Sequence, residues 1–143
     1  MGRVLAPMKS FASCWSPALG WMVIIFIVSS QPRNSLPDFG GWDYVIKKSA
    51  HLAEYALLAI FMLRGMRGSA PLHLAHVAWA LAFTVAYAAT DEYHQTFVAG
   101  RQGHWPDVLI DGLGATIGLA LLRWPPLARL LSPSLNKSEP NRR

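Results

Sequence analysis

Across 143 residues the chain is 52% hydrophobic and only 15% charged, which is too apolar for an ordinary soluble domain and makes a one-domain membrane protein the first expectation. Its one cysteine, Cys14, excludes an intrachain disulfide and, with no Cys/His spacing around it, a structural zinc site. The net charge of +5 comes mostly from basic residues that flank apolar runs instead of forming a patch, so nucleic acid is not an expected partner and the charge reads as a topology signal.

Residues 11–30 carry no charge and have the roughly 20-residue length that a membrane-crossing helix needs. Pro17 and Gly20 are tolerated near its start. Arg3 and Lys9 precede this run, and Val28 and Ser30 stand at plausible minus-three and minus-one positions, so a signal peptide cleaved after Ser30 is the alternative. The run is long for a signal h-region, which favours a retained span. Phe11-Ala12-Ser13-Cys14 faintly resembles a lipoprotein cleavage box, but no apolar stretch precedes it and lipidation is discounted. Residues 31–43 are rich in Pro, Gly, Ser and Asn and predict a loop, with Trp42 and Tyr44 as interfacial anchors.

Beyond that loop, Lys48, His51, Glu54 or Tyr55, and Leu58 fall along one helical face. Only nine uncharged residues separate Glu54 from Arg64. A second span therefore requires His51 and Glu54 at membrane depth, turned toward protein. Residues 64–71 predict a short basic turn, and 72–90 a third span with His73 and His76 one turn apart at its start. Without acidic or Cys neighbours these two histidines read as interfacial or packing residues. Asp91 and Glu92 close this apolar run, a Gly-rich loop carries Arg101, and Asp107 and Asp111 open a fourth span over 108–122. Gly114 and Gly118 form a small-xxx-small pair that lets a neighbouring helix approach closely. Trp124-Pro125-Pro126 ends the helix, and residues 132–143 are polar, basic and expected to be disordered.

The expected fold class is an all-α integral membrane protein, a compact bundle of four transmembrane helices over about residues 11–30, 48–64, 72–92 and 107–123. The membrane domain covers 11–124, between an N-terminal segment at 1–10 and a basic tail at 125–143. Four spans put both termini on one side. The termini and the 64–71 turn hold nine basic residues (Arg3, Lys9, Arg64, Arg67, Arg123, Arg129, Lys137, Arg142, Arg143), against four in the opposite loops (Arg33, Lys47, Lys48, Arg101). This bias predicts cytoplasmic termini in the cell (inner) membrane and places the polar loops outside.

With that topology His51 and Glu54 begin the second helix, Asp91, Glu92 and Gln95 end the third, and Asp107 and Asp111 begin the fourth, all at one depth. Asp91 and Glu92 sit at a helix C-terminus, where the macrodipole disfavours negative charge, so they need a cation or a proton. Arg101 and Lys48 are the nearest candidates by topology, and Arg101 is expected to pair with Asp91 or Glu92. The simpler alternative is that these residues only rim the bundle and tie helix ends together.

Lys48-x-x-His51-x-x-Glu54-Tyr55, followed by Asp91-Glu92-x-x-Gln95-x-Phe97-x-x-Gly100-Arg101 and then Asp107-x-x-x-Asp111-x-x-Gly114, resembles the VanZ-like family of small membrane proteins, named for a member linked to glycopeptide resistance. The resemblance covers about residues 30–122. The chain departs from the family pattern at Lys47, where an acidic residue often stands, at Ala99, often Pro, and at Asp111, usually Asn.

The catalytic candidates are His51, Glu54, Asp91, Glu92 and Asp107; the substrate-binding candidates are Lys48, Tyr55, Gln95, Arg101 and Asp111. No metal ligand is assigned and no cofactor is named. A His beside carboxylates suits acid–base work, and Arg101 with Lys48 suits a phosphate or carboxylate. The leading expectation is a polar pocket at the outer leaflet that acts on or binds a cell-envelope lipid or lipid-linked precursor, to which the resemblance adds a glycopeptide antibiotic. The alternative is a non-catalytic membrane protein whose charged rim ties helix ends or binds a partner. A third reading is a divalent-metal site, since several carboxylates and a His resemble oxygen-rich ligand sets. Membrane lipids are the expected partners, and four helices are few for a transporter unless the chain oligomerises. No HExxH, P-loop or GxSxG motif names a reaction.

Overall fold

A computed structural model describes residues 11–122. The expectations for 1–10, for the stop at 124–126 and for the tail fall outside the described residues. So do seven of the nine basic residues behind the orientation: Arg3, Lys9, Arg123, Arg129, Lys137, Arg142 and Arg143.

Four helices, α1 (Phe11–Ser29), α2 (Asp43–Arg67), α3 (Leu74–Gln95) and α4 (Trp105–Leu121), are joined by connections of which the first holds two short 3-10 turns, Arg33–Ser35 and Gly40–Trp42. The described residues contain no strand. Among the described residues one helix, α1, is long and apolar enough by itself to cross a membrane.

The elements run further than the apolar pattern alone suggests. The second helix, expected over 48–64, begins at Asp43 and continues for 25 residues. Asp43 in the first turn meets the positive end of the helix dipole and pairs with Lys47 one turn on, at 2.7 Å. At the far end no breaker acts until Gly68, whose φ of +53° ends the helix, so the first half of the expected basic turn, 64–67, is helical. Tyr44, read as a loop anchor, lies on α2. The third helix extends to Gln95, so Asp91 and Glu92 lie inside it. The fourth starts at Trp105 with Pro106 in its first turn, where a missing N–H costs nothing.

The bundle runs up-down-up-down around α2, which contacts the other three helices. Alpha1 is antiparallel to α2: the Trp15 ring lies against Gly65, and Trp21 Nε1 donates to the Glu54 carbonyl at 2.9 Å. Alpha2 and α4 run parallel, with Leu52 against Gly114 and Ala56 against Gly118. A Cβ on Gly118 would sit 2.5 Å from the Ala56 carbonyl oxygen, so only glycine allows this approach. Tyr87 of α3 donates to the Met22 carbonyl of α1 at 2.7 Å.

Small residues dominate the core, where Ala18, Ala59, Ala80, Ala88 and Ala115 are fully buried beside Leu58 and Tyr55. Cys14 is buried as a free thiol. The outward faces are apolar as well: Leu19, Val23, Ile27, Phe83, Leu109 and Leu113 are each more than half exposed. This alternation of direction brings the ends of α1 and α3 and the starts of α2 and α4 to one end of the bundle.

Candidate functional site

That shared end carries a buried polar centre. Asp111, one and a half turns into α4, is 1% exposed. Its Oδ1 lies 3.4 Å from His51 Nδ1 on α2, within ion-pair reach of a protonated imidazole but not aligned as a hydrogen bond. Glu92 on α3 completes a cluster in which one donor atom from each of His51, Glu92 and Asp111 lies within 4.8 Å of the others. Three helices thus supply one side chain each.

Around this core Asp91, Glu92 and Gln95 are each at most 5% exposed. Gln95 Nε2 donates to Asp91 Oδ2 at 3.0 Å, and the His104 backbone N–H donates to Glu92 Oε2 at 3.0 Å. Tyr55 is fully buried, its ring 6.4 Å from that of His51 and 6.5 Å from that of Tyr87. Several atoms here have no hydrogen-bond partner: His51 Nδ1, the Tyr55 hydroxyl, Asp91 Oδ1 and both oxygens of Asp111. Glu54, half-buried one turn beyond His51, faces the same group from α2.

The two cations take other positions than expected. Lys48 pairs with Asp107, so the second turn of α2 is tied to the first turn of α4. Arg101 does not pair directly with Asp91 or Glu92. Its Nη1 donates to Gln95 Oε1 at 3.1 Å, and the remaining donors go to the backbone carbonyls of Gln31 (3.0 Å) and Val28 (3.1 Å). The carbonyls at the end of α1 face the loop, and the guanidinium adds a bond to the Val28 oxygen, which already accepts from the Gln31 N–H at 3.2 Å. Arg101 therefore reaches Asp91 only through Gln95. Burial draws the Arg101 pKa below its ordinary value, while Asp91, Glu92 and Glu54 push it back up. At the rim, the hydrogen bond from Lys47 holds the Asp43 carboxyl below its usual range.

Sequence reasoning overlooked the fastening of α1 and of the 96–104 loop. Ser30 Oγ meets His94 Nε2 at 3.0 Å, and the Phe26 ring lies 4.7 Å from the His94 ring. Gly103 packs against the Glu92 carbonyl, and Gly100 takes a φ of +74° to turn Arg101 inward. The acceptors that Arg101 finds are backbone carbonyls at the α1 terminus, which no residue type announces.

His73 and His76 lie at the opposite end, where the His73 N–H donates to His76 Nδ1 at 3.2 Å and locally caps α3. Two cavities also lie away from the polar centre. One of about 400 Å³ is lined by Leu63, His73, Val77, Leu81, Thr116 and Leu119, the other of about 380 Å³ by Arg33, Asn34, Ala99 and Gly100.

A family model described as VanZ/LLP1 matches residues 5–129, a range that contains every residue of this centre. No curated protein and no solved structure matches the chain.

Proposed function

The chain belongs to the VanZ/LLP1 family, and from that premise we propose that it is a four-span membrane protein whose polar centre acts on the headgroup of a cell-envelope lipid or lipid-linked precursor. Support for the membrane comes from α1 and from the apolar outward faces of the other helices, for which lipid is the natural solvent. The proposed membrane domain covers residues 11–124, with the polar end at the outer leaflet and both termini cytoplasmic, an orientation that rests on the distribution of basic residues.

The observation that carries the chemical reading is the meeting of His51 and Asp111 across two helices where Asp111 is 1% exposed. In this reading His51 takes a proton from an attacking water or headgroup hydroxyl, and Asp111 orients the ring and stabilises the imidazolium. Glu54, Asp91, Glu92 and Asp107 supply the second acid–base group. Lys48, beside Asp107 at the rim, offers the charge that meets a headgroup phosphate. Glycopeptide binding is a variant of the same reading, taken from the family resemblance.

The test uses the full chain in lipid nanodiscs with extracted envelope lipids, scored for turnover and for headgroup binding. Glu54→Gln and Asp107→Asn keep side-chain size; the expected result is loss of turnover or binding with the folded yield retained. Reduced yield with binding intact in the surviving protein would overturn the pocket. A reporter that fluoresces only in the cytoplasm should light up after Arg143 and stay dark in the 97–104 loop.

One observation favours a second reading, in which the polar residues are structural ties. Arg101 spends its donors on Val28, Gln31 and Gln95, and so fastens helix ends together.

A further inference from the structure

We infer that His51, Glu92 and Asp111 form a binding site for a single divalent transition-metal ion of the zinc or manganese type. The inference rests on how buried charge is balanced, and it gives His51 and Asp111 a ligand role in place of the proton-transfer role above.

Five carboxylates gather around this centre: Glu54, Asp91, Glu92, Asp107 and Asp111. Among the described residues, the permanent cations at this end lie elsewhere: Lys47 pairs with Asp43, Lys48 with Asp107, Arg101 bonds Gln95 and two backbone carbonyls, and Arg33 is exposed. No Lys or Arg of the described residues lies within ion-pair distance of Asp91, Glu92 or Asp111. A buried carboxylate without a counter-charge or hydrogen bonds is costly enough that it must take up a proton or a cation.

Asp111 is the sharpest case. It is 99% buried, given its 1% exposure, and neither carboxylate oxygen has a hydrogen-bond partner. His51 Nδ1, 3.4 Å away, also lacks one. Elsewhere in the bundle buried polar groups are paired locally, as when Thr84 Oγ1 donates to the Ala80 carbonyl at 2.8 Å. The unsatisfied atoms concentrate at the one place where a His and two carboxylates from three helices converge within 4.8 Å.

Geometry and ligand chemistry narrow the occupant. Atoms bound to one ion at about 2.1 Å lie roughly 3 to 4 Å apart, so small rotations of two carboxylates close this set around a cation. An imidazole disfavours magnesium and calcium, which prefer all-oxygen shells, and the absence of a thiolate in the set disfavours soft ions such as copper(I). Three protein ligands leave a coordination position for water, as in open zinc sites. The Glu92 oxygen that accepts from the His104 N–H is held in orientation by that bond.

The test is metal binding by the full chain in detergent, stripped with chelator, then titrated with zinc chloride and with manganese chloride by calorimetry, with manganese electron paramagnetic resonance as a second readout. One equivalent of at least one ion is expected, with a raised unfolding temperature. Asp111→Asn and Glu92→Gln should each weaken binding by at least about tenfold, whereas Asp43→Asn, paired with Lys47 outside the cluster, should leave it unchanged. If Asp111→Asn does not fold, His51→Gln serves in its place. Absence of saturable binding, unchanged affinity in both Asp111→Asn and Glu92→Gln, or preference for magnesium chloride over both ions would overturn the site. Metal uptake that persists while Glu54→Gln abolishes headgroup binding supports the metal site. Headgroup binding by a chain that takes up no metal removes the metal site and leaves the lipid reading standing.

Discussion

Alpha2 and α4 meet twice, in two different ways. Along their length the contact is a seam of small residues and backbone, with Gly114 on Leu52 and Gly118 on Ala56, and it leaves no room for a side chain. At their N-terminal ends the same helices meet through His51 and Asp111, whose facing atoms lie 3.4 Å apart and make no hydrogen bond. The seam is satisfied by itself; the polar end is not. Since buried polar atoms in folded proteins are nearly always paired, the contrast separates a contact that holds the fold from an arrangement that waits for something else to complete it.

The largest effect should come from spoiling the seam. Gly118→Val places branched carbon where the Ala56 carbonyl oxygen lies 2.5 Å from even a Cβ, and neither backbone can yield. A loss of about 3 kcal/mol is expected, read from thermal or denaturant unfolding in detergent; tolerance of valine would show that the two helices are free to separate. Next comes Arg101→Ala, which removes three hydrogen bonds that tie the loop to α1 and Gln95 and should cost about 1.5 kcal/mol. Arg33→Ala, an exposed side chain, is the control; equal small effects would mean that the latch contributes nothing. The smallest effect is expected at the centre itself. In metal-free buffer Asp111→Asn should change stability by less than about 1 kcal/mol, because it removes a desolvated charge along with its weak contact to His51. A loss as large as that of Gly118→Val would erase the contrast and make Asp111 a structural tie.

Much of this arrangement was legible in the chain. Four apolar runs separated by loops fix the alternation of direction, and alternation alone sends His51, Glu92 and Asp111 to one end. The spacing of Gly114 and Gly118 signalled the close helix pair. Helix limits were less legible, because Asp43, Tyr44 and Lys47 are compatible with either a loop or a first turn until the Asp43–Lys47 pair decides. The partner of Arg101 was not legible at all. Matching charges in a sequence counts carboxylates as the only acceptors, whereas the carbonyls of Val28 and Gln31 are invisible until the end of α1 is placed beside the loop. Likewise the His104 N–H that holds Glu92 is a backbone group, and no residue type announces it.

The latch also bears on the order of assembly. Arg101 and Val28 are 73 residues apart in sequence, Tyr87 and Met22 65, and Ser30 and His94 64. Each of these bonds involves α1 or the residue just after it, and none can form until α3 or the loop after it exists. Closing such long loops is entropically slow, so α1 can dock on α2 through Trp21 and Glu54 early, while its ties to α3 and the following loop close later. A ribosome that stalls before Arg101 would hold a chain whose first helix is made but whose latch is still missing.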